Sequence, residues 1–366
     1  MQEVRHCRSP TNLKLMFFKK ALATLVGLVS MVLVATAVIG FADIKDIGQV
    51  ITNAVKEEIR NSLSGRIGRD GPILVVKIDD TPAAHPQAGL EDADVVYIEQ
   101  VEGGLTRLAA VFSSKIPDVV GPVRSARISD IELLEQYGRV AFAYSGAQSK
   151  LLPVIAEANL ENLGAQRQGR DVYANDPSRV APTAMMLQAK TLMGKVTAPG
   201  NSIAISKNIG WNFGDVPETG TLISSVKVSW PASSYEATWS QSEKRWLLSN
   251  REIPDLAASG IHLGPTTFVI QLVSITPSDY HDKVGGVTPF SATIGNGKGF
   301  ILRDGLAIAA NWNRPIAEAG TSWTLPTGEE ILFAPGQVWV ALTDKQPDFT
   351  PASTSNSADA TLKSSK

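Results

Sequence analysis

Residues Asp94 to Arg127 read DVVYIEQVEGGLTRLAAVFSSKIPDVVGPVRSAR and carry most of the polar chemistry that lies outside the expected core. On both sides of Gly103-Gly104, apolar residues alternate with polar or small ones. Alternation of this kind is typical of strands with two different faces, and paired glycines suit a tight turn. The stretch therefore predicts a β-hairpin.

A helix is predicted directly after the hairpin. Gly121-Pro122 breaks the chain, and Ser125 is a suitable residue to open a helix over residues 126 to about 137.

Two arginines, Arg124 and Arg127, flank the predicted helix start. Backbone N–H groups there are unpaired and the helix dipole is positive, so guanidinium groups beside them would suit a phosphate or carboxylate ligand. The alternative is that these arginines pair with acidic residues of the same stretch, namely Glu99, Glu102 and Asp94.

The composition indicates an exported protein with ordinary cores. The 366 residues are 43% hydrophobic and 19% charged, which suits two packed domains. Residues 21–42 carry no charge and are long enough for one transmembrane helix, while five basic residues precede them and Asp43 follows. This predicts a cytoplasmic segment over residues 1–20 and a single-pass membrane protein whose bulk is extracytoplasmic. The alternative is secretion after signal cleavage near Ala37.

Cysteine and charge exclude several function classes. The sole cysteine, Cys7, precedes the apolar run, so the exported part has neither disulfides nor a thiol nucleophile. Five of the 34 Lys and Arg residues and one of the 36 Asp and Glu residues precede residue 43, which leaves 29 against 35. This acidic balance disfavours nucleic-acid binding. No cofactor or metal site is predicted, because the histidines are scattered and no ligand spacing repeats.

The exported part divides by pattern into five segments. The first half alternates apolar strands, such as residues 73–79 and 140–144, with predicted helices over residues 147–158 and 182–190, which is typical of an α/β (or α+β) layer. The second half has short alternating runs that predict mainly antiparallel β structure, with residues 295–299 as a hairpin turn. The predicted segments are an amphipathic stalk helix and linker over 43–71, an α/β domain over 72–200, a linker over 201–220, a β-rich domain over 221–345 and a disordered tail over 346–366.

The candidate site residues are charged or polar side chains at strand ends and in the loops after them. Such loops are expected to converge on one rim of the sheet. The candidate ligand-binding residues are Asp79, His85, Glu99, Glu102, Arg107, Arg124, Ser125, Arg127 and Arg179. For Asp79 the alternative is a turn cap, and for His85 it is a loop residue without chemistry.

The exported region resembles the YerB-like lipoproteins, a bacterial family built from two consecutive domains of unknown function. The resemblance covers about residues 72–342 and rests on Ile78-Asp79, Pro86 to Leu90, Val101 to Arg107, Gly121 to Arg127, Asp176, Ser178, Arg179, Ala181-Pro182, Tyr235 to Trp239, Gly299 to Gly305, Trp312 and Pro335 to Gln337. Two features depart from the family pattern: no lipid-attachment cysteine follows the apolar run, and Thr183 stands where the pattern has a histidine. The resemblance implies an architecture and leaves the function open.

Three functions remain open from the sequence. The first is a membrane-anchored envelope protein that binds an anionic ligand or partner through its arginines, since no complete set of nucleophile, base and acid is present. The second is an envelope hydrolase or transferase in which Asp79, Glu99 or Glu102 acts as acid or base. Glu99 and Glu102 differ by three positions, so they face opposite sides of a regular strand. This weakens the hydrolase or transferase hypothesis. The third is a non-catalytic protein scaffold.

Overall fold

The computed structural model describes residues 58–198, 202–216 and 219–352. Strands dominate these residues. The strands are β1 Leu74–Asp79, β2 Val95–Gln100, β3 Thr106–Phe112, β4 Val119–Val120, β5 Val140–Ala143, β6 Leu160–Asn162, β7 Tyr173–Asn175, β8 Met185–Gln188, β9 Thr221–Trp230, β10 Ser233–Ser240, β11 Arg245–Asn250, β12 Ile253–Pro254, β13 Thr267–Leu272, β14 Ile275–His281, β15 Val287–Ser291, β16 Gly295–Arg303, β17 Leu306–Arg314, β18 Ser322–Thr324, β19 Val338–Thr343 and β20 Asp348–Pro351. The α-helices are α1 Ile128–Glu135, α2 Leu151–Glu157 and α3 Ala189–Val196.

The predicted hairpin is confirmed. Strands β2 and β3 pair antiparallel, with Glu99 opposite Arg107, and a short turn at Glu102–Gly104 joins them. Strand β1 pairs with the other side of β3, which places Asp79 opposite Arg107 as well. These three strands are neighbours inside the sheet, and their polar ends therefore lie side by side at the same end of the strands.

One long sheet runs through both halves of the described chain. Its order is β12-β11-β10-β9-β17-β16-β13-β19-β2-β3-β1-β5-β6, with β18 on β17 and β20 on β9. The junction is β19, which pairs parallel with β13 on one side and with β2 on the other. A strand from the C-terminal part of the chain therefore extends the sheet that begins with the hairpin.

Each face of this sheet has its own core. Side chains alternate along β1, so Leu74, Val76 and Ile78 belong to one apolar cluster while Val75 belongs to the other. Strands buried on both faces read as continuous apolar runs, which explains the sequence of β1. The second cluster includes Tyr137, directly after α1.

The predicted α/β (or α+β) class of the first half is wrong. The described residues are mostly β, with 43% in strands and 12% in helices, and they contain only three α-helices. The three helices all lie in the first half, but loops, turns and short strands make up most of its connections. Pairing across the sheet decides the conformation here, not local helical pattern.

The predicted single N-terminal transmembrane helix is also not supported. Among the described residues, no helix has the length and apolar character to cross a bilayer. Residues 21–42, on which that prediction rested, lie outside the described ranges, as do residues 43–57 of the predicted stalk helix. The described end of that stalk is not helical, because Arg60 forms a β-bridge with Ile67.

Two local predictions in the chain are corrected by strand pairing. The predicted helix over residues 182–190 is wrong, because β8 pairs with β4 and β7 and the helix begins only at Ala189. The predicted hairpin turn over residues 295–299 is wrong too, because these residues form the start of β16. A Cβ at Gly297 would meet Trp312 at 2.6 Å, so that glycine makes room for a tryptophan and does not make a turn.

The second half has the antiparallel β structure that was predicted, in β9 to β11 and in β13, β16 and β17. The predicted linker carries Trp211, which is buried and stacks on Phe333 with ring centroids 4.9 Å apart. Within the predicted tail, β20 pairs with β9, and residues 353–366 lie outside the described ranges.

Candidate functional site

A cleft of about 790 Å³ opens at the end of the hairpin, beside the tip of the β14–β15 hairpin from the second half. Four cations and two carboxylates line it. They are Arg107, Arg124, Arg127, Lys283, Glu102 and Asp282. Ser125 lies in the same wall. The structure thus brings together five of the predicted site residues: three arginines, Ser125 and Glu102.

Of the three arginines in this cleft, Arg107 is the one for which the described residues provide no ion pair. Its side chain is 8% exposed, and Nη1 donates to the backbone carbonyl of Ser125 at 3.0 Å. Among the described residues, no carboxylate lies within ion-pair distance of it, because the nearby acids pair with Arg124 and Arg127. Burial, followed by the charges of Arg127 and Arg124, lowers the pKa of Arg107 to about 9. The guanidinium stays protonated at neutral pH. An anion beside it would offset the free-energy cost of burying its charge.

Arg124 is held by a carboxylate behind the cleft. Its Nε lies 2.6 Å from Oδ2 of Asp79, which is 1% exposed and sits at the end of β1. Oδ1 of Asp79 also accepts from the backbone N–H of Thr81 at 2.9 Å. Asp79 therefore both caps the turn, as the alternative proposed, and fixes Arg124.

Arg127 is held by the turn of the hairpin. Its Nε lies 2.7 Å from Oε1 of Glu102, and Nη2 donates to Oε2 at 2.7 Å. Burial alone would raise the pKa of Glu102, but the hydrogen bonds and charge of Arg127 outweigh it and lower that pKa. The hydroxyl of Thr288, on β15, also donates to Glu102, so the second half helps to position this pair.

The two interpretations of the arginines each describe part of the site. Arg127 pairs with a hairpin acid, Arg124 pairs with Asp79, and Arg107 has no ion pair in the described part of the chain. At the helix start, one backbone donor is already bonded. Arg127 is its N-cap, and the Arg127 backbone N–H donates to the Asp130 carboxylate at 2.6 Å. The guanidinium groups are therefore the positively charged donors that line this part of the cleft.

Glu99 lies outside the cleft in a buried ion cluster. The Nζ atom of Lys77 is 2.8 Å from Oε1 of Glu99 and 2.8 Å from Oδ1 of Asp130, and none of the three side chains is more than 1% exposed. Burial raises the pKa of Glu99 to about 7, although Lys77 acts to lower it. Because its carboxylate is occupied and enclosed, Glu99 cannot meet a ligand in the cleft.

Arg179 and His85 also lie away from the cleft. The Arg179 guanidinium donates to the carbonyls of Ala84, at 2.9 Å, and Pro86, so it holds the loop that carries His85. In that loop the His85 ring lies between two carboxylates, with Nδ1 3.1 Å from Asp255 and Nε2 3.3 Å from Asp80.

Charge keeps this histidine protonated. Burial lowers the pKa of His85, but hydrogen bonds to the two aspartates outweigh it and raise the value to about 9. Burial also raises the pKa of Asp255, against the effect of His85. The contact of both ring nitrogens with carboxylates favours the ionised pair, which joins the two halves and leaves no free nitrogen for acid-base work.

Several lining residues were missed by the sequence. They are Thr288 and the tip of the β14–β15 hairpin from Tyr280 to Val284, together with Leu151 and Leu152 at the start of α2. The turn signal Gly285-Gly286 marks a hairpin tip, but nothing local in the sequence places that tip beside Arg127. The Thr288 contact to Glu102 spans 186 residues.

Comparisons with known proteins agree with this architecture. Residues 62–202 match the N-terminal domain, and residues 226–340 the C-terminal domain, of a protein family of unknown function, DUF3048. A stretch of 56 residues is 50% identical to a Bacillus subtilis protein named "Putative lipoprotein YerB", covering 15% of this chain and 17% of that relative. The crystal structure of YerB protein from Bacillus subtilis superposes with a TM-score of 0.68 at 18% identity, covering 80% of this chain and 99% of that one, and so shows a common fold. The chain therefore belongs to the YerB-like family, with its two consecutive domains of unknown function.

Proposed function

We propose that this protein is an extracytoplasmic, membrane-associated protein of the cell envelope that binds an anionic ligand in the cleft beside the β2–β3 hairpin. The observation that carries the proposal is Arg107, a nearly buried guanidinium that lines the cleft without an acidic partner among the described residues. The location is supported by the name of the Bacillus subtilis relative, which describes that protein as a lipoprotein.

The neighbouring arginines support the same proposal. Arg124 and Arg127 each keep one carboxylate, so three guanidinium groups face two acids and one positive charge is uncompensated. Guanidinium groups bind phosphate and carboxylate through paired, charge-assisted hydrogen bonds. An oxyanion in the cleft would compensate the remaining positive charge.

Catalysis by the predicted carboxylates has no comparable support. Asp79 is bound to Arg124, Glu102 is bound to Arg127 and Thr288, and Glu99 is enclosed with Lys77. A general acid or base needs a carboxylate that can reach the substrate proton, and each of these is engaged. Binding is therefore the function that we propose.

The test is calorimetric titration of the full-length protein with pyrophosphate. Arg107→Gln removes the uncompensated charge without leaving a carboxylate unpaired, and we expect at least tenfold weaker binding, a loss of about 1.4 kcal/mol. The matched control is Arg139→Gln, because Arg139 forms a half-exposed pair with Glu161 and neither residue lines the cleft. Equal affinity of both variants, or no pyrophosphate binding at all, would contradict the proposal and favour a protein partner.

A further inference from the structure

The cleft is much larger than a simple oxyanion. Its volume is about 790 Å³, whereas one water occupies about 30 Å³ of the liquid and a tetrahedral oxyanion is only a few times larger. Cavities of about 300–1,000 Å³ hold ligands of drug-like size. A phosphate bound to Arg107 would leave most of the cleft unfilled.

Much of the remaining wall is apolar. Val101 and Leu105 flank the hairpin turn, and Leu151 and Leu152 come from α2. Leu152 is 37% exposed, and Val284, at the tip of the β14–β15 hairpin, is 90% exposed. Large apolar side chains that line a cleft and remain open to solvent gain free energy when an apolar ligand covers them.

We propose that the ligand is an amphiphilic anion, with an oxyanion head at the three arginines and an aliphatic tail along the apolar wall. This inference rests on the proposed function and specifies its ligand class. The charge pattern sets one end of the molecule, because Arg107, Arg124 and Arg127 all lie in one part of the chain around the hairpin and the start of α1. Leu151 and Leu152 of α2 and Val284 of the β14–β15 tip then set the character of the rest, and the charged neighbours of Val284, Asp282 and Lys283, line the same cleft.

The test is a series of phosphate esters titrated into the full-length protein. Methyl, butyl and hexyl phosphate carry the same head, and each further buried methylene is expected to strengthen binding about fourfold. We therefore expect butyl phosphate to bind at least tenfold more tightly than methyl phosphate. Butanol, which has the tail without the charge, should show no binding at concentrations where butyl phosphate saturates the protein.

A variant of the apolar wall separates tail binding from head binding. Leu152→Asn should reduce the gain from methyl to butyl phosphate severalfold while leaving methyl phosphate binding unchanged. Val180→Asn is the matched control, because Val180 is 81% exposed and does not line the cleft. It should leave the whole series unchanged.

Two failures can be told apart. Equal affinity for all three esters would overturn the amphiphilic ligand and leave anion binding standing. If neither pyrophosphate nor any ester binds, the proposed function fails, and the ligand class that depends on it fails as well; if pyrophosphate binds and no ester does, only the amphiphilic ligand is overturned. Binding to vesicles that contain phosphatidic acid, without binding of any soluble ester, would also overturn the proposal that the cleft binds single ligand molecules.

Discussion

Replacing Arg124 by glutamine is expected to destabilise the fold through the acid that it leaves behind. Asp79 is 1% exposed, and its Oδ2 lies 2.6 Å from Nε of Arg124. Its remaining contact is the N–H of Thr81 on Oδ1. Removing one member of a buried pair costs about 3–5 kcal/mol, since the other charge stays buried without compensation.

The exposure of Arg124 sets the magnitude within that range. Its side chain is 26% exposed, so water can reach part of the site that Arg124→Gln vacates. We therefore expect a loss near the lower end, about 3 kcal/mol in the free energy of unfolding. The double variant Arg124→Gln with Asp79→Asn removes both charges and should be more stable than Arg124→Gln alone.

Urea unfolding of the full-length protein, followed by tryptophan fluorescence, measures these differences. Arg139→Gln provides the control, because its pair with Glu161 has side chains 41% and 38% exposed, and exposed pairs contribute about 0–1 kcal/mol. Two results would refute the claim that the buried carboxylate of Asp79 needs the charge of Arg124. One is a loss for Arg124→Gln no larger than for Arg139→Gln, and the other is a double variant that is the least stable of the set.

Three further predictions concern groups outside the cleft. Lys77→Met leaves two buried carboxylates without a cation and should cost about 3–5 kcal/mol in urea unfolding. Lys195→Met, which breaks an exposed pair, should cost far less, and similar losses for the two variants would refute the buried cluster. The pKa of His85 rises from 6.5 unfolded to about 9 folded, so its stabilisation is complete below pH 6.5 and is lost as pH rises through 9. His85→Asn should therefore cost about 3 kcal/mol at pH 6 and much less at pH 10, and a loss that grows with pH would contradict the charge assignment. Gly299→Ala places a Cβ 2.3 Å from a backbone oxygen of β13 and should lower the melting temperature by an amount equivalent to about 1–3 kcal/mol, whereas Gly194→Ala meets nothing within 4 Å in its helix and should not lower it.

The hairpin could be predicted because its information is local. Alternating apolar residues and the Gly103-Gly104 pair lie within one short stretch, and the pairing of β2 with β3 follows from them. Glu99 and Glu102 were predicted to face opposite sides of a strand, and they do lie apart, although Glu102 belongs to the turn and not to the strand. One lies in the Lys77 cluster and the other in the cleft.

The fold class could not be obtained in this way, because it depends on pairing over long separations. Strand β19 pairs with β2 across more than two hundred residues, and no local pattern distinguishes that partner from any other apolar strand. Local signals also pointed to helix after Pro182, yet β8 forms there because β4 and β7 offer hydrogen bonds on both sides. Long-range pairing outweighs local propensity at both places.

The candidate site also combines features that local sequence predicts with features that depend on long-range pairing. The arginines of the hairpin and helix start could be found from the sequence, but which of them lacks an acid depends on register. Asp79 reaches Arg124, although its directly opposed neighbour in β3 is Arg107. One partner of His85, Asp80, lies nearby in the sequence, but its second partner, Asp255, is 170 residues away.

The most direct test of anion binding is a charge series at one position, with pyrophosphate affinity measured by calorimetry. If the charge of Arg107 holds the ligand, Arg107→Lys keeps the charge but loses the paired hydrogen bonds, so its affinity should fall between those of the wild type and Arg107→Gln. Arg107→Gln should lose at least tenfold, with its urea midpoint close to that of Arg107→Lys. Raising the salt concentration should weaken binding by the wild type and the lysine variant more than by the glutamine variant. Equal affinities for all three proteins, each folded, would contradict the account.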